Sequence, residues 1–383
     1  MIRWLLPALI ILFLLLTGCD KAELTEFGYV QAIAIDRMET GKVAITTLFY
    51  NPSGGGEQGG PKENKSAILI ETKAPTLLDA IRDIPIVFGR KAKWDHMRII
   101  LISEEVARKQ NNGEILDFFL RDHEPRSTVP VLLAKGKASD YLSVKPFIEN
   151  TIGQQLKRIE DMGARYSAKT IRTRILDLAI ELKNETGVAR MPYLYRKPST
   201  KNITMTGIAL LKEGKVKGDI LNSKQTQSLV ILLGQYESGI LEIPCSGTGN
   251  RKIKESVEAI ALKTSVKPII RNKELTIRVN ARIKGSIGQL ICTSLMTEKE
   301  VQTFKSRIEQ TVESDLRDLV DYLQQRQMDA IGIGDRIYRS NPKLWKMLKP
   351  EWGKVFAEGR VEINVKVDII NTGMSVGKSF SKS

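Results

Sequence analysis

Apolar positions along this chain change period from one stretch to the next, and each period predicts an element. Tyr29 to Ile35 and Val43 to Tyr50 read as two strands, joined by a turn through Glu39-Thr40-Gly41-Lys42. Ala67 to Thr72, Met97 to Ile102 and Val129 to Lys135 are further apolar runs of strand length. Between them, Pro75-Thr76 opens a short helix over Leu77 to Asp83. Ser103 stands where a helix beginning at Glu104 needs a cap, and Glu114 to Arg121 is another helix. Strands alternating with helices predict a mixed α/β layer over 19–138.

From 139 the pattern turns helical. Leu142 and the region Ile152 to Met162 precede a stripe of Ile171, Ile175, Leu178 and Leu182 at helical spacing, with Ser167 or Thr170 able to cap it. Lys197-Pro198-Ser199-Thr200 reads as a linker. Ile203 to Leu211 and Val216 to Leu221 read as a hairpin, and Thr226 to Leu233 as a short helix. These make a helix-rich middle domain over 139–240. In 241–383, strands at Ile253 to Leu262 and Leu275 to Val279 precede a long helix opened by the capping box Thr297-Glu298-Lys299-Glu300. Val301, Phe304, Ile308, Val312, Leu316, Leu319 and Leu323 form its apolar stripe, predicting a helix of about 30 residues lying on a sheet. Val361, Ile363, Val365 and Val367 alternate with polar residues as a late strand, so this domain is α+β.

The first residues follow another logic. Trp4 to Leu16 is an apolar run after Arg3, and at about 1.5 Å per residue it reaches roughly 20 Å, short of the ~30 Å of a spanning helix. Leu16-Thr17-Gly18-Cys19 follows, which resembles the lipobox of bacterial lipoproteins. The cysteine thiol would take a diacylglyceryl group, and the small residues before it let the backbone enter the peptidase. Residues 1–18 are therefore expected to be a signal peptide and Cys19 the lipid-attachment residue of a palmitate-bearing lipoprotein. Two acyl chains meet the need for two signals in stable anchoring.

Composition narrows the remaining classes. A length of 383 residues suggests two or three domains at about 150 residues each, and 42% apolar with 27% charged residues is ordinary globular material. Three cysteines exclude a disulfide-dense scaffold and a four-cysteine zinc site, and two histidines leave little for metal chemistry. The net charge of +15 reads as a lysine-rich solvated surface or as attraction to an anionic membrane. The charges are scattered without aromatic interleaving, so nucleic acid is not an expected partner.

No catalytic constellation emerges. Gly54-Gly55-Gly56 and Gly59-Gly60 lack the Gly-Lys-Ser/Thr ending of a phosphate loop, and Gly332-Ile333-Gly334 lacks a third glycine and a preceding strand. His96 follows Asp95 and His123 follows Asp122, but no nucleophile motif accompanies them, and Ser103 is better read as a cap. Cys245 and Cys292 could pair or lie as two small buried hydrophobes. The chain is expected to be no enzyme, with no cofactor, no metal site and no catalytic residue.

Several blocks carry a family resemblance. Met97 to Ala107, Ile115 to Asp122 with Glu124 and Arg126, and Val131 to Ala138 resemble the N-terminal region of the Ger(x)C family of spore germination lipoproteins, as do Ala32 to Asp36 and Asn51-Pro52. Asp329 to Gly334 with Pro342, Trp345 and Trp352 resembles its C-terminal block. The usual tryptophan after the lipid cysteine is missing, since Cys19 is followed by Asp20-Lys21. The resemblance implies an α+β chain of three mixed α/β domains, each a central β-sheet flanked by helices. It also implies the C subunit of a nutrient germinant receptor, working with integral-membrane A and B subunits. The expected place is the spore inner membrane, lipid-anchored on the extracytoplasmic face through acylated Cys19. A solute-binding lipoprotein of an importer is the alternative, and it would need two similar lobes around a cleft.

Overall fold

Two β-sheets organise the residues described by the computed structural model, which are 24–51, 67–245, 253–272 and 274–371. The expected signal peptide, Cys19 and the glycine-rich stretch 54–60 lie outside them.

The first sheet is built from β1 (Phe27–Arg37), β2 (Val43–Tyr50), β3 (Ala67–Ala74), β4 (Lys91–Lys93), β5 (Ile99–Ser103), β6 (Val131–Ala134), β7 (Val188–Arg196), β8 (Ile203–Lys212) and β9 (Lys215–Val216). Their order is β3-β2-β1-β5-β6-β7-β8-β9, with β4 paired to the start of β1. The pairings β1–β5, β5–β6 and β6–β7 are parallel, and both flanks are antiparallel. Every residue of β5 and β6 is buried, as expected of parallel strands covered on both faces.

The helices between these strands are α1 (Leu77–Arg82), α2 (Ile84–Phe88), α3 (Glu104–Lys109), α4 (Asn112–Arg121), α5 (Ser139–Leu142), α6 (Ile152–Ser167) and α7 (Ile175–Leu182). The two-residue period of β1 divides them. Ile33 and Ile35 face a core with α3, α4 and α7, while Ala32 and Ala34 face α5 and α6. Small residues on the second face let α6 come close: a Cβ on Gly153 would sit 2.9 Å from the Gln31 carbonyl.

The second sheet has the order β10 (Gly239–Pro244), β11 (Lys254–Arg271), β12 (Glu274–Gln289), β13 (Arg360–Asn371). Helix α8 (Ser223–Leu233) precedes it, and α9 (Glu298–Gln325), α10 (Ile333–Ser340), α11 (Pro342–Leu348) and α12 (Trp352–Ala357) form the crossover to parallel β13. Thr297 and Glu300 close the predicted capping box on α9, whose buried stripe runs from Phe304 through Ile308, Val312, Leu316 and Leu319 to Leu323. At ~1.5–3 kcal/mol per buried aliphatic or aromatic side chain, this stripe is a major source of the second sheet's stability. Glu313 and Glu309 of α9 accept the Val365 and Val367 amides of edge strand β13, both at 3.0 Å.

The mixed α/β class holds, with three differences from the expected layout. A sheet in each of three units was expected, but the strands of 139–240 extend the first sheet. Leu133 and Ala134 of β6 pair directly with Tyr193 and Leu194 of β7, so backbone hydrogen bonds cross the expected boundary at 138. The stretch 197–200 is a hairpin turn between β7 and β8, closed by Lys201 N to Lys197 O at 2.8 Å, and not a linker. Likewise Ile171 lies outside the helix its spacing suggested. The Val131 amide donates to Thr173 O at 2.9 Å, which holds that stretch extended, and α7 starts at Ile175.

Candidate functional site

The C-terminal block Asp329 to Gly334 forms the corner between the two sheets. Asp329 is 3% exposed and spends its carboxylate on the first turn of α10, accepting from Ile333 N at 2.9 Å and Gly334 N at 2.7 Å. Gly332 turns the chain with φ +75°, a conformation that costs glycine little. Burial pushes the Asp329 carboxyl up to about 6, and the Gly334 and Ile333 amides limit the rise.

Gly334 answers a second demand, close approach. A Cβ there would lie 2.6 Å from the Trp345 ring and 2.8 Å from Thr186 of the α7–β7 loop. The Trp345 indole donates to Glu185 at 2.7 Å, Lys349 Nζ reaches the same carboxylate at 2.8 Å, and the Glu185 amide donates to Asp335 at 2.9 Å. Lys349 and Trp345 hold the Glu185 carboxyl below its usual range. Arg190 of β7 pairs with Glu181 and also reaches the Ala330 carbonyl at 3.4 Å. Around these contacts lies a cleft of about 600 Å³, with Glu181, Arg190, Asp335, Arg336 and Arg339 on its walls. Most of its charged groups are engaged with protein partners, so the arrangement fixes one sheet unit against the other.

The N-terminal blocks meet in the same manner. Asp36, at the end of β1, accepts from the Ala138 and Ser139 amides at 2.7 and 2.9 Å, joining the stretch Ala32 to Asp36 to the block Val131 to Ala138. Glu124 accepts from the Trp94 amide at 3.0 Å. Ser103 accepts from Val106 N and caps α3, as its position suggested. His96 Nε2 lies 3.9 Å from Asp95 and His123 Nδ1 3.8 Å from Asp122. His96 stacks edge-on to Tyr29 with centroids 5.4 Å apart, and His123 is 95% exposed.

Cys245 and Cys292 form a disulfide, with Cα atoms 6.0 Å apart. Glu255 lies beside them, and the three side chains come within 4.8 Å of one another. That is a metal-like cluster in distance only, because the sulfurs are bonded to each other and the carboxylate is fully engaged. Its Oε1 accepts from the Ile291, Cys292 and Thr293 amides, and its Oε2 from Thr293 Oγ1 and Arg307 at 2.6 and 2.7 Å. Burial alone would raise this carboxyl, but Thr293, the Ile291 amide and Arg307 hold it below its ordinary range. The sequence left the Cys245–Cys292 pairing open, and neither the place of Glu255 beside it nor the Glu185–Trp345 bridge was visible, since these join residues distant along the chain. Among the described residues, no helix is long and apolar enough to cross a membrane.

The architecture is shared with a solved structure. The crystal structure of the GerBC protein matches it with a TM-score of 0.59, at 21% identity, over 92% of this chain and 100% of that one. Residues 20–195 match the family described as "Spore germination protein N-terminal domain", and residues 206–373 the one described as "Spore germination B3/ GerAC like, C-terminal". The chain belongs to this GerAC-like family of spore germination proteins. Spore germination protein B3 of Bacillus subtilis (strain 168) is 24% identical, covering 96% of this chain and 97% of its own. Spore germination protein KC of the same organism is 22% identical, covering 98% and 97%.

Proposed function

We propose that this protein is the lipid-anchored C subunit of a nutrient germinant receptor, held by acylated Cys19 on the outer face of the spore inner membrane. It works there with integral-membrane A and B subunits and acts by binding, without catalysis of its own. The end-to-end similarity of both halves to spore germination proteins carries this reading. The Cys245–Cys292 bond agrees with a place outside the reducing cytoplasm. The importer alternative asks for two similar lobes, whereas the two sheets here differ in strand number and order.

The test is affinity purification of the full-length protein from spore inner membranes in mild detergent. Both integral-membrane subunits are expected to co-purify. Cys19→Ala protein is expected to lose fatty-acid incorporation and to leave the membrane fraction. Recovery of the protein without either membrane subunit, alongside normal germination on every nutrient after gene deletion, would sink the proposal.

A further inference from the structure

The start of β1 rests against an exposed apolar tip. Phe27 pairs in parallel register with Lys91, and the Phe88 ring crowds Gly28 so closely that a Cβ there would lie 2.3 Å from it. Just before Phe88, on α2, Ile86 is 81% exposed and Val87 60%, and Leu78 on neighbouring α1 is 48% exposed. Around this tip, residues 78–93 hold Arg82, Arg90, Lys91 and Lys93 against Asp79 and Asp83. Arg82, Arg90 and Lys91 are exposed.

The distance to the expected lipid is short. Five residue-to-residue steps lead from Cys19 to Leu24, and five steps at full extension span at most about 18 Å. A bilayer holding the acyl chains at Cys19 therefore lies within that reach of Leu24, three residues from the strand start that α2 touches. Aliphatic side chains that enter the interfacial layer, with cations at headgroup level beside them, make a peripheral membrane contact. On the reading that Cys19 carries the lipid, we propose that the Ile86–Val87 tip, flanked by Arg82, Arg90 and Lys91, seats on an anionic bilayer surface. The tether then sets not only the protein's location but also its orientation, with the α2 end of the first sheet facing the lipid.

The experiment uses full-length lipidated protein in vesicles of phosphatidylcholine and phosphatidylglycerol. A polarity-sensitive fluorophore is attached at Ile86→Cys and, as a control, at Met347→Cys, which replaces a side chain 70% exposed on α11. The native cysteines do not compete, since Cys19 is acylated and the other two are bonded to each other. The label at 86 is expected to shift to the blue and to be quenched by nitroxide-bearing lipid at least threefold more than the label at 347. Equal quenching at both sites in protein that floats with the vesicles would overturn the proposal while leaving the tether intact. Protein that carries no lipid and fails to float would overturn the tether reading and the proposal with it. Shielding at 86 that requires the receptor's membrane subunits would make the tip a protein contact, which also overturns it. As a second measure, Ile86→Asp/Val87→Asp in unlipidated Cys19→Ala protein is expected to weaken binding to the same vesicles at least tenfold, and unchanged binding would count against the proposal.

Discussion

Opening the Cys245–Cys292 bond tests how the second sheet is held. The bond closes a loop across 47 residues of sequence. In the chain-entropy description, freeing such a loop returns about 4 kcal/mol of stability-relevant entropy to the unfolded chain at 25 °C. The native side changes little, because Glu255 holds Ile291, Cys292 and Thr293 through their own amides whether or not the sulfurs are joined. The loss therefore falls mostly on the unfolded state. Cys245→Ser/Cys292→Ser is expected to cost roughly 3–4 kcal/mol, with native fluorescence and circular dichroism preserved. Urea titration of the full-length protein, followed by tryptophan fluorescence, reads this directly, since Trp345 and Trp352 belong to the same core as the second sheet. Wild-type protein with reductant should move to the same midpoint. A difference below about 1 kcal/mol, or intact protein whose mass does not change on reduction, would refute the reasoning.

Two further changes probe buried carboxyls. Glu160 on α6 is 3% exposed, and burial pushes it up to about 7 from an ordinary value of 4.5, with Arg172 opposing. The folded chain thus keeps a proton that the unfolded chain releases, and the associated stability is full below pH 4.5 and lost as pH rises through 7. Glu160→Gln is expected to gain about 1–3 kcal/mol over wild type at pH 8 and nothing at pH 4, so equal midpoint shifts at the two pH values would contradict this. Asp329→Ala leaves the Ile333 and Gly334 amides buried without their acceptor and is expected to cost about 2–5 kcal/mol by urea titration. A cost under 1 kcal/mol would show that the corner does not depend on this carboxylate.

Local signals in the sequence translated well. The capping box at Thr297 and the stripe from Phe304 to Leu323 each rest on residues within a few positions of one another, so the long helix was legible almost to its ends. Ser103 and the strand Val43 to Tyr50 were legible for the same reason. Partnerships across the chain were not. The run at Val131 read as a strand, whereas Val188 to Arg196 fell in a stretch read as helix-rich, and nothing local says that the two lie side by side in one sheet. Ile171 shows how a non-local bond overrides a period, since pairing near β6 took four residues out of an expected helix. At the corner, the residues that carried the family resemblance are the ones that touch the other unit, yet Glu185 and Thr186, their partners, stood in a loop with no distinguishing pattern. The lipid-attachment residue rests on its motif alone, because Cys19 lies outside the described residues.

The helices over the second sheet bear on how the protein can be joined by others. Glu309 and Glu313, one helical turn apart, occupy amides along β13. At the opposite edge, Gln227 of α8 donates to the Ile240 carbonyl at 3.0 Å and Arg307 of α9 to the Pro244 carbonyl at 3.1 Å. At these positions side chains from the helices take up backbone groups that a neighbour's strand would otherwise pair with. Strand edges left bare invite pairing with another chain, and here part of each edge is occupied by side chains rather than by a further strand. A neighbour that meets these amides and carbonyls finds them taken, so contact there falls to side chains, whose identity can vary without disturbing the sheet beneath.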